Sequence, residues 1–299
     1  MAVDGGARFL EELYKDWSTR MAAEPALPLS AVRSLFDEWQ KPTMEAEGVS
    51  YRNDTIGGVD GLWALPAGAD QNKVLLYAHG GGFMAGSSSS HRKLGGHLAK
   101  ALNISVFLLD YRLAPEHPFP AQMDDMTAAY QALLGAGFAN ENLSLGGDSA
   151  GSSIAISTAL NLRDLGLPRP NSVICFSPWV DIELKSPSLW TSGDTDFLVP
   201  RPSGPELVAM FLGDGTRTDN PLANPLYADF SGFPRLYITV GTSEALLDDA
   251  IRLHDRALAA GVDSTISKVE GMQHVFPVLA GRAIEADEEL MRITLWNNA

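Results

Sequence analysis

Cysteine is almost missing from this chain: among 299 residues there is one, Cys175. It can form neither an internal disulfide nor a cysteine metal cage. Its place in the apolar run Val173-Ile174-Cys175-Phe176 reads as a small buried hydrophobe rather than a reactive thiol. No stretch of about 18 apolar residues occurs, so no bilayer span is expected. Cationic residues are scarce beside anionic ones, 22 Lys+Arg against 37 Asp+Glu, giving a formal charge of −15. A surface of that sign repels phosphate backbones and anionic headgroups, which removes nucleic acid and membrane as expected partners. His-Glu-x-x-His and comparable ligand spacings are lacking, so a metal-dependent hydrolase is not expected. Met1-Ala2-Val3-Asp4-Gly5-Gly6 has neither a cationic stretch nor an apolar core of a secretion signal, and a cytoplasmic location is expected.

What the chain does have is a globular balance, with 45% hydrophobic and 20% charged residues. Short β-branched or apolar runs alternate with longer helical patterns. Strands are predicted over 49–56, 58–65, 73–78, 104–110, 143–147, 172–177, 235–240 and 264–269. Helices are predicted over 90–102, 121–135, 149–165, 246–260 and 283–296. The first two strands adjoin across Gly57-Gly58 and read as a hairpin. From there strand and helix alternate, which implies right-handed crossovers and a mostly parallel sheet covered on both faces. Residues 1–45 and 181–230 break this rhythm. The first reads as two amphipathic helices, with Phe9, Leu10, Leu13, Tyr14 and Trp17 at helical spacing. The second is rich in Pro, Gly and Asp, with one helical stretch near 205–212. Neither can stand alone as a domain, and together they are expected to form a two-piece cap over the carboxyl ends of the strands. The main domain is then 46–299, with the cap insertion inside it.

Three motifs carry chemistry. Gly147-Asp148-Ser149-Ala150-Gly151 follows a predicted strand and opens a helix, a context in which small flanking residues permit a tight turn that lifts the Ser149 hydroxyl above the sheet. Without that context the pattern is weak, because it also describes an ordinary serine helix cap. His79-Gly80-Gly81-Gly82 ends another strand; its glycine amides are unobstructed, and Gly81, Gly82 and Ala150 can together present three donors to an oxyanion. His274, in Gly271-Met272-Gln273-His274-Val275-Phe276, lies after the last strand, late in the chain as a general base would in the order serine, acid, histidine. His91 and His97 on a helix, His117 beside Pro118, and His254 in mid-helix are read as surface or packing residues.

These pieces, with Phe83, Tyr111-Arg112-Leu113-Ala114-Pro115-Glu116, Pro118-Phe119-Pro120-Ala121, Ser177-Pro178-Trp179-Val180-Asp181 and His274-Val275-Phe276, resemble the hormone-sensitive-lipase-like (bacterial class IV) carboxylesterases of the α/β-hydrolase superfamily. The matching stretches run in order over about two thirds of the chain. The resemblance implies an eight-stranded, mostly parallel sheet with a helical cap, and ester hydrolysis without a metal or organic cofactor. It makes Ser149 the nucleophile, His274 the general base, Gly81, Gly82 and Ala150 the oxyanion donors, and His79 a buttress of the glycine loop. Arg112 and Glu116 become internal ion-pair residues. Many relatives carry Asp as the third triad member; here that position is Glu244, with Asp248 as a supporting neighbour.

The expected reaction is acyl transfer through Ser149 on a small or short-acyl ester. Trp17, Phe36, Trp39, Trp190, Met210 and Phe211 are expected to wall an enclosed apolar pocket. A lactone opened by the same groups and an amide are the alternative substrates, and a non-catalytic receptor of the same fold is disfavoured because His274 and Ser149 are both present. A homodimer through the edge strand 264–269 is also expected, since an exposed edge needs covering.

Overall fold

The computed structural model describes residues 5–22, 27–192, 194–199 and 204–299. Residues 1–4, at the start of the stretch read for a secretion signal, lie outside the described residues, as do 23–26, 193 and 200–203 within the two expected cap segments.

The chain opens with α1 (Gly5–Met21) and α2 (Leu29–Phe36), followed by a single 3₁₀ turn, Asp37–Gln40. The hairpin β1 (Val49–Ile56) and β2 (Val59–Pro66) leads into β3 (Asp70–Ala78), α3 (Arg92–Leu102), β4 (Ile104–Leu109), α4 (Ala121–Gly135), β5 (Leu143–Asp148), α5 (Ala150–Asp164) and β6 (Ser172–Phe176). After α6 (Pro187–Thr191) and α7 (Gly204–Leu212) come β7 (Arg235–Gly241), α8 (Leu247–Ala259), β8 (Ser264–Val269) and α9 (Ile284–Asn297). The strands form one sheet in the order β1-β2-β4-β3-β5-β6-β7-β8. β2 runs antiparallel to both neighbours, and every pair from β4 to β8 is parallel. All eight predicted strands are present. β3 starts earlier than the hydrophobic run suggests, because Asp70 pairs with Ile104 across a register shift before Val74 resumes the ladder.

Period-two alternation divides the core. Val74, Leu76 and Ala78 of β3, with Phe107 and Leu109 of β4, join one cluster with α4, α5 and α8. Leu75, Tyr77, Val106 and Leu108 point the other way, into a cluster with α3, α9 and α1. α5 is buried from Ala150 to Leu160; its Ala, Gly and Ser residues let the helix lie close against the sheet, which fixes the height of its amino end. α1 buries Leu10, Tyr14 and Trp17 at i, i+4 and i+7, the face expected from its periodicity.

The β1–β2 turn uses positive φ at Gly57 (+60°) and Gly58 (+83°), the geometry of a tight two-residue hairpin. A Cβ on Gly57 would lie 2.4 Å from the Ala128 carbonyl oxygen of α4, whereas one on Gly58 would meet nothing within 4 Å. Gly58→Ala should therefore cost only the left-handed strain, roughly 1–2 kcal/mol, and Gly57→Ala roughly 1–3 kcal/mol more from the collision. Thermal denaturation of the two variants checks this; equal shifts in Tm would mean that the hairpin is not held tightly against α4.

Candidate active site

Ser149 sits between β5 and α5 at φ 52°, ψ −120°, a conformation that costs a non-glycine residue roughly 1–3 kcal/mol. Its neighbours leave it no other choice. The Ser149 N–H donates to the Phe176 carbonyl at 2.8 Å, and the Ser149 carbonyl accepts from Ser152 and Trp179 at 3.1 and 3.2 Å. A Cβ on Gly147 would lie 2.4 Å from the Gly151 carbonyl group, and one on Gly151 would lie 2.0 Å from the Ala78 oxygen. The half-buried Ser149 side chain thus stands at the amino end of α5, where free N–H groups and the helix dipole favour negative charge.

Across from it runs the glycine loop. Gly81 has φ +116° and Gly82 φ +62°, and a Cβ on Gly81 would lie 2.1 Å from the Ala85 oxygen. Among the described residues the N–H groups of Gly81, Gly82 and Ala150 donate to no protein acceptor. His79 is buried, stacks on Tyr111 at 4.2 Å, and holds the Gly80 carbonyl through Nδ1 at 2.7 Å. Burial, then the neighbouring His91, pushes its pKa down to about 3, so its ring is neutral near pH 7 and braces the loop. Asp148 links loop and serine. Its Oδ1 accepts from the Tyr77 hydroxyl at 2.9 Å, both oxygens lie 3.3 Å from His91 Nε2, and a Cβ on Gly80 would touch its Oδ2. Burial opposes ionisation of Asp148, but His91 and Tyr77 prevail and hold it below the usual carboxylate range.

His274 and Glu244 meet at the far side of β6. Glu244 follows β7, is fully buried, and places Oε2 3.4 Å from His274 Nδ1. The contact is long, and neither His274 Nδ1 nor Glu244 Oε1 has an aligned hydrogen-bond partner among the described residues. The Ser177 hydroxyl donates to the same Oε2 at 2.7 Å. Burial works against an imidazolium at His274, but Glu244, then Asp196 and Asp148, outweigh it and lift the His274 pKa above the ordinary value. Glu244 itself is pushed up by burial, with His274 and Ser177 pulling the other way. The flanking residues are tied to one stretch of the 181–230 segment: Asp196 accepts from the Ala245 N–H at 2.7 Å, and Gln273 donates to the Thr195 carbonyl at 2.6 Å.

Several expected placements are corrected. Asp248 does not face the imidazole; its carboxylate accepts from the Ser188 N–H of α6 at 2.7 Å. Asp249 accepts from the N–H groups of Val180 and Asp181 at 2.9 Å, and burial raises its pKa to about 6. The two acids anchor the entry to α6 rather than merely matching a helix dipole. Trp17 and Trp39 are sealed in a core with Tyr14, where Phe36 stacks on Trp39 at 5.8 Å. Trp190 is 61% exposed and walls no enclosed space among the described residues. Met210 is half-buried, and Phe211 is buried face to face with Phe83 at 3.7 Å. His91 is neither on the surface nor simple packing, since it pairs with Asp148. Arg112 pairs with Asp125, and Glu116 with Arg33 of α2. Burial pushes the Cys175 thiol up to about 12, which leaves it inert. No group of three or more His, Cys, Asp or Glu among the described residues is arranged to hold a metal. No helix there is long and apolar enough to cross a membrane.

A family model described as alpha/beta hydrolase fold matches residues 75–278. An acetyl-hydrolase of Streptomyces hygroscopicus is 38% identical over 244 residues, covering 80% of this chain and 81% of the relative. An esterase of Acinetobacter venetianus is 31% identical over 285 residues, covering 95% and 93%. The crystal structure of an esterase from the bacterial hormone-sensitive lipase family superposes with a TM-score of 0.93 at 36% identity, over 99% of this chain and 98% of the other. Sheet order, turn geometry and these likenesses agree: the chain belongs to the hormone-sensitive-lipase-like family of the α/β-hydrolase fold and is a carboxylic ester hydrolase.

Proposed function

We propose that the chain hydrolyses short-acyl esters through an acyl-enzyme on Ser149, with His274 as general base, Glu244 as its acid partner, and the amides of Gly81, Gly82 and Ala150 as the oxyanion hole. The observation that carries this reading is the left-handed Ser149 turn facing a glycine loop with free N–H groups, with the His274–Glu244 pair across the end of β6. In the first step His274 takes the Ser149 proton as Oγ bonds to the ester carbonyl carbon, and the carbonyl oxygen becomes an anion held by the three amides. One such donor is worth about 2.7–4 kcal/mol in the transition state. Collapse of the tetrahedral adduct breaks the bond to the alkoxy group, which leaves with the proton from His274. Water, deprotonated by the same imidazole, then releases the acid. Glu244 orients the ring and stabilises its charged form; Ser149→Ala should abolish turnover without unfolding the protein, and retention of more than a trace, with contamination excluded, overturns the assignment.

The short-acyl preference is supported by the aromatic wall beyond the glycine loop. Phe83 stacks on Phe211, with Trp179 at 5.5 Å from Phe83 and Phe119 edge-on to Phe211 at 5.6 Å. The cavity behind, lined by Phe83, Phe119, Ser153 and Phe211 among others, holds only about 10 Å³, about one water-sized sphere. The name of the Streptomyces relative, acetyl-hydrolase, points the same way. In this reading residues 1–45 and 181–230 form the two parts of a cap on a catalytic domain of 46–299, and a homodimer pairs through β8, an edge strand with partly exposed residues. Across a panel of chromogenic esters, kcat/KM should fall about tenfold or more between butyryl and palmitoyl chains. Comparable values would mean an open pocket.

The acid is tested by a pair of variants. Glu244→Ala should lower kcat by about four orders of magnitude, the scale seen when a triad acid loses its charge, while Asp248→Ala stays within about tenfold because its carboxylate serves α6. The reverse ranking in folded protein would move the acid to Asp248.

A further inference from the structure

The peptide that joins His274 to Val275 is gripped at both ends. Its carbonyl oxygen accepts from the Tyr14 hydroxyl of α1 at 2.8 Å, and its N–H donates to the Ser177 hydroxyl oxygen, just past β6, at 2.9 Å. Ser177 then donates its own proton to Glu244 Oε2 at 2.7 Å. Tyr14 and Ser177 are both fully buried. We propose that these two hydroxyls are positioning residues of the esterase: together they fix the 274–275 peptide and thereby set the His274 imidazole against Glu244. The proposal rests on the reading of His274 and Glu244 as base and acid.

The geometry makes the grip consequential. Val275 has φ +52°, an outlying conformation for a β-branched residue, which relaxes unless its surroundings hold it. Releasing the peptide frees the loop to shift at ψ of His274 and φ of Val275, and a shift of the His274 Cα moves the imidazole. The His274–Glu244 contact, already 3.4 Å long, has no slack to absorb that motion. Ser177 ties the 274–275 peptide to the acid, because one hydroxyl both receives the Val275 N–H and donates its proton to Glu244. Tyr14 brings in the amino-terminal segment, which lies outside the residues matched by the family model. Its ring stacks on Trp39 at 5.8 Å and meets Trp17 at 5.9 Å. That packing would be kept by phenylalanine, which loses the hydrogen bond to the His274 carbonyl.

The test compares Tyr14→Phe, Ser177→Ala and the double variant on a short-chain p-nitrophenyl ester between about pH 5 and 9, with Ser149→Ala as control. Each single change should lower kcat about tenfold with KM held within about twofold, and the double should lose less than the product of the two, because both act on one peptide. Glu244, Asp196 and Asp148 are the carboxylates that raise the His274 pKa. Loosening the Glu244 contact lets that pKa fall, so the acid limb of kcat/KM should move to lower pH even as the plateau drops. A residue that only stabilises the fold would reduce the amount of active enzyme and leave the limb in place. Tyr14→Phe changes one atom and keeps the ring packing, so it remains decisive should Ser177→Ala fail to fold. A wild-type kcat in Tyr14→Phe, or a loss with an unmoved limb, overturns the proposal; turnover by Ser149→Ala would instead overturn the site reading beneath it.

Discussion

Backbone meets backbone at the ends of β3 and β5, and the rest of the structure is arranged around that approach. The Ala78 carbonyl lies where side chains on both Gly147 and Gly151 would have to stand. No Cβ fits there, so α5 starts directly against the sheet and the turn between β5 and α5 closes on Ser149 in a left-handed conformation. The strain is local and is repaid by the Ser149 N–H donating to the Phe176 carbonyl and the Trp179 N–H donating to the Ser149 carbonyl, which tie the turn to the adjacent strand end. A half-buried serine at the amino end of a buried helix is the result. The glycine loop obeys the same rule from the other side, since Gly80 lies against Asp148 and Gly81 against Ala85.

Around this turn the structure buries an unusual amount of charge. Asp148, Glu244, Asp196 and Asp249 are all buried, and a carboxylate removed from water is tolerated only where hydrogen bonds or opposite charge replace its hydration. Each acid solves the problem with different partners. Asp148 uses His91 and Tyr77, and Asp196 uses the N–H groups of Leu198, Val199 and Ala245. Asp249 uses Val180, Asp181 and Ser186, yet burial still raises its pKa to about 6. Glu244 has Ser177 and a long contact to His274. The acids therefore do more than balance charge: Asp148 ties the end of β5 to the residue before α3, and Asp196 and Asp249 tie the loop after β7 and α8 to the 181–230 segment, so the electrostatics and the architecture share the same bonds.

The two irregular segments attach largely to different faces of the sheet, with Leu198 of the second joining the first segment's side. Tyr14, Trp17 and Trp39 join the cluster with α3 and α9, while Val208, Phe211 and Leu212 join the one with α4 and α5. They come together where Lys15 lies over the Phe197 ring at 4.2 Å, and where the Ser18 hydroxyl donates to the Phe197 carbonyl. Aromatic residues that read as a pocket lining in the sequence are mostly the means by which these segments attach themselves to the body of the protein.

The sequence by itself determined the strands, the alternation of elements, the parallel sheet and the two turns where glycine is obligatory. Those features follow from local periodicity and backbone sterics, which a few adjacent residues express in full. Gly147, Ser149 and Gly151 were legible because the turn they build is contiguous, and His274 was legible because it follows the last strand. What only the tertiary structure decided are relations between distant residues: the Asp148–His91 pair, the diversion of Asp248 to α6 and of Asp249 to residues 180–186, the burial of Trp17 and Trp39, and the meeting of Tyr14, Ser177 and Glu244 around one peptide. A tyrosine on an amphipathic helix looks like any other core aromatic until its hydroxyl is seen to land 260 residues away. Side-chain hydrogen bonds depend on direction at close range, and direction is set by how whole elements pack, not by spacing along the chain.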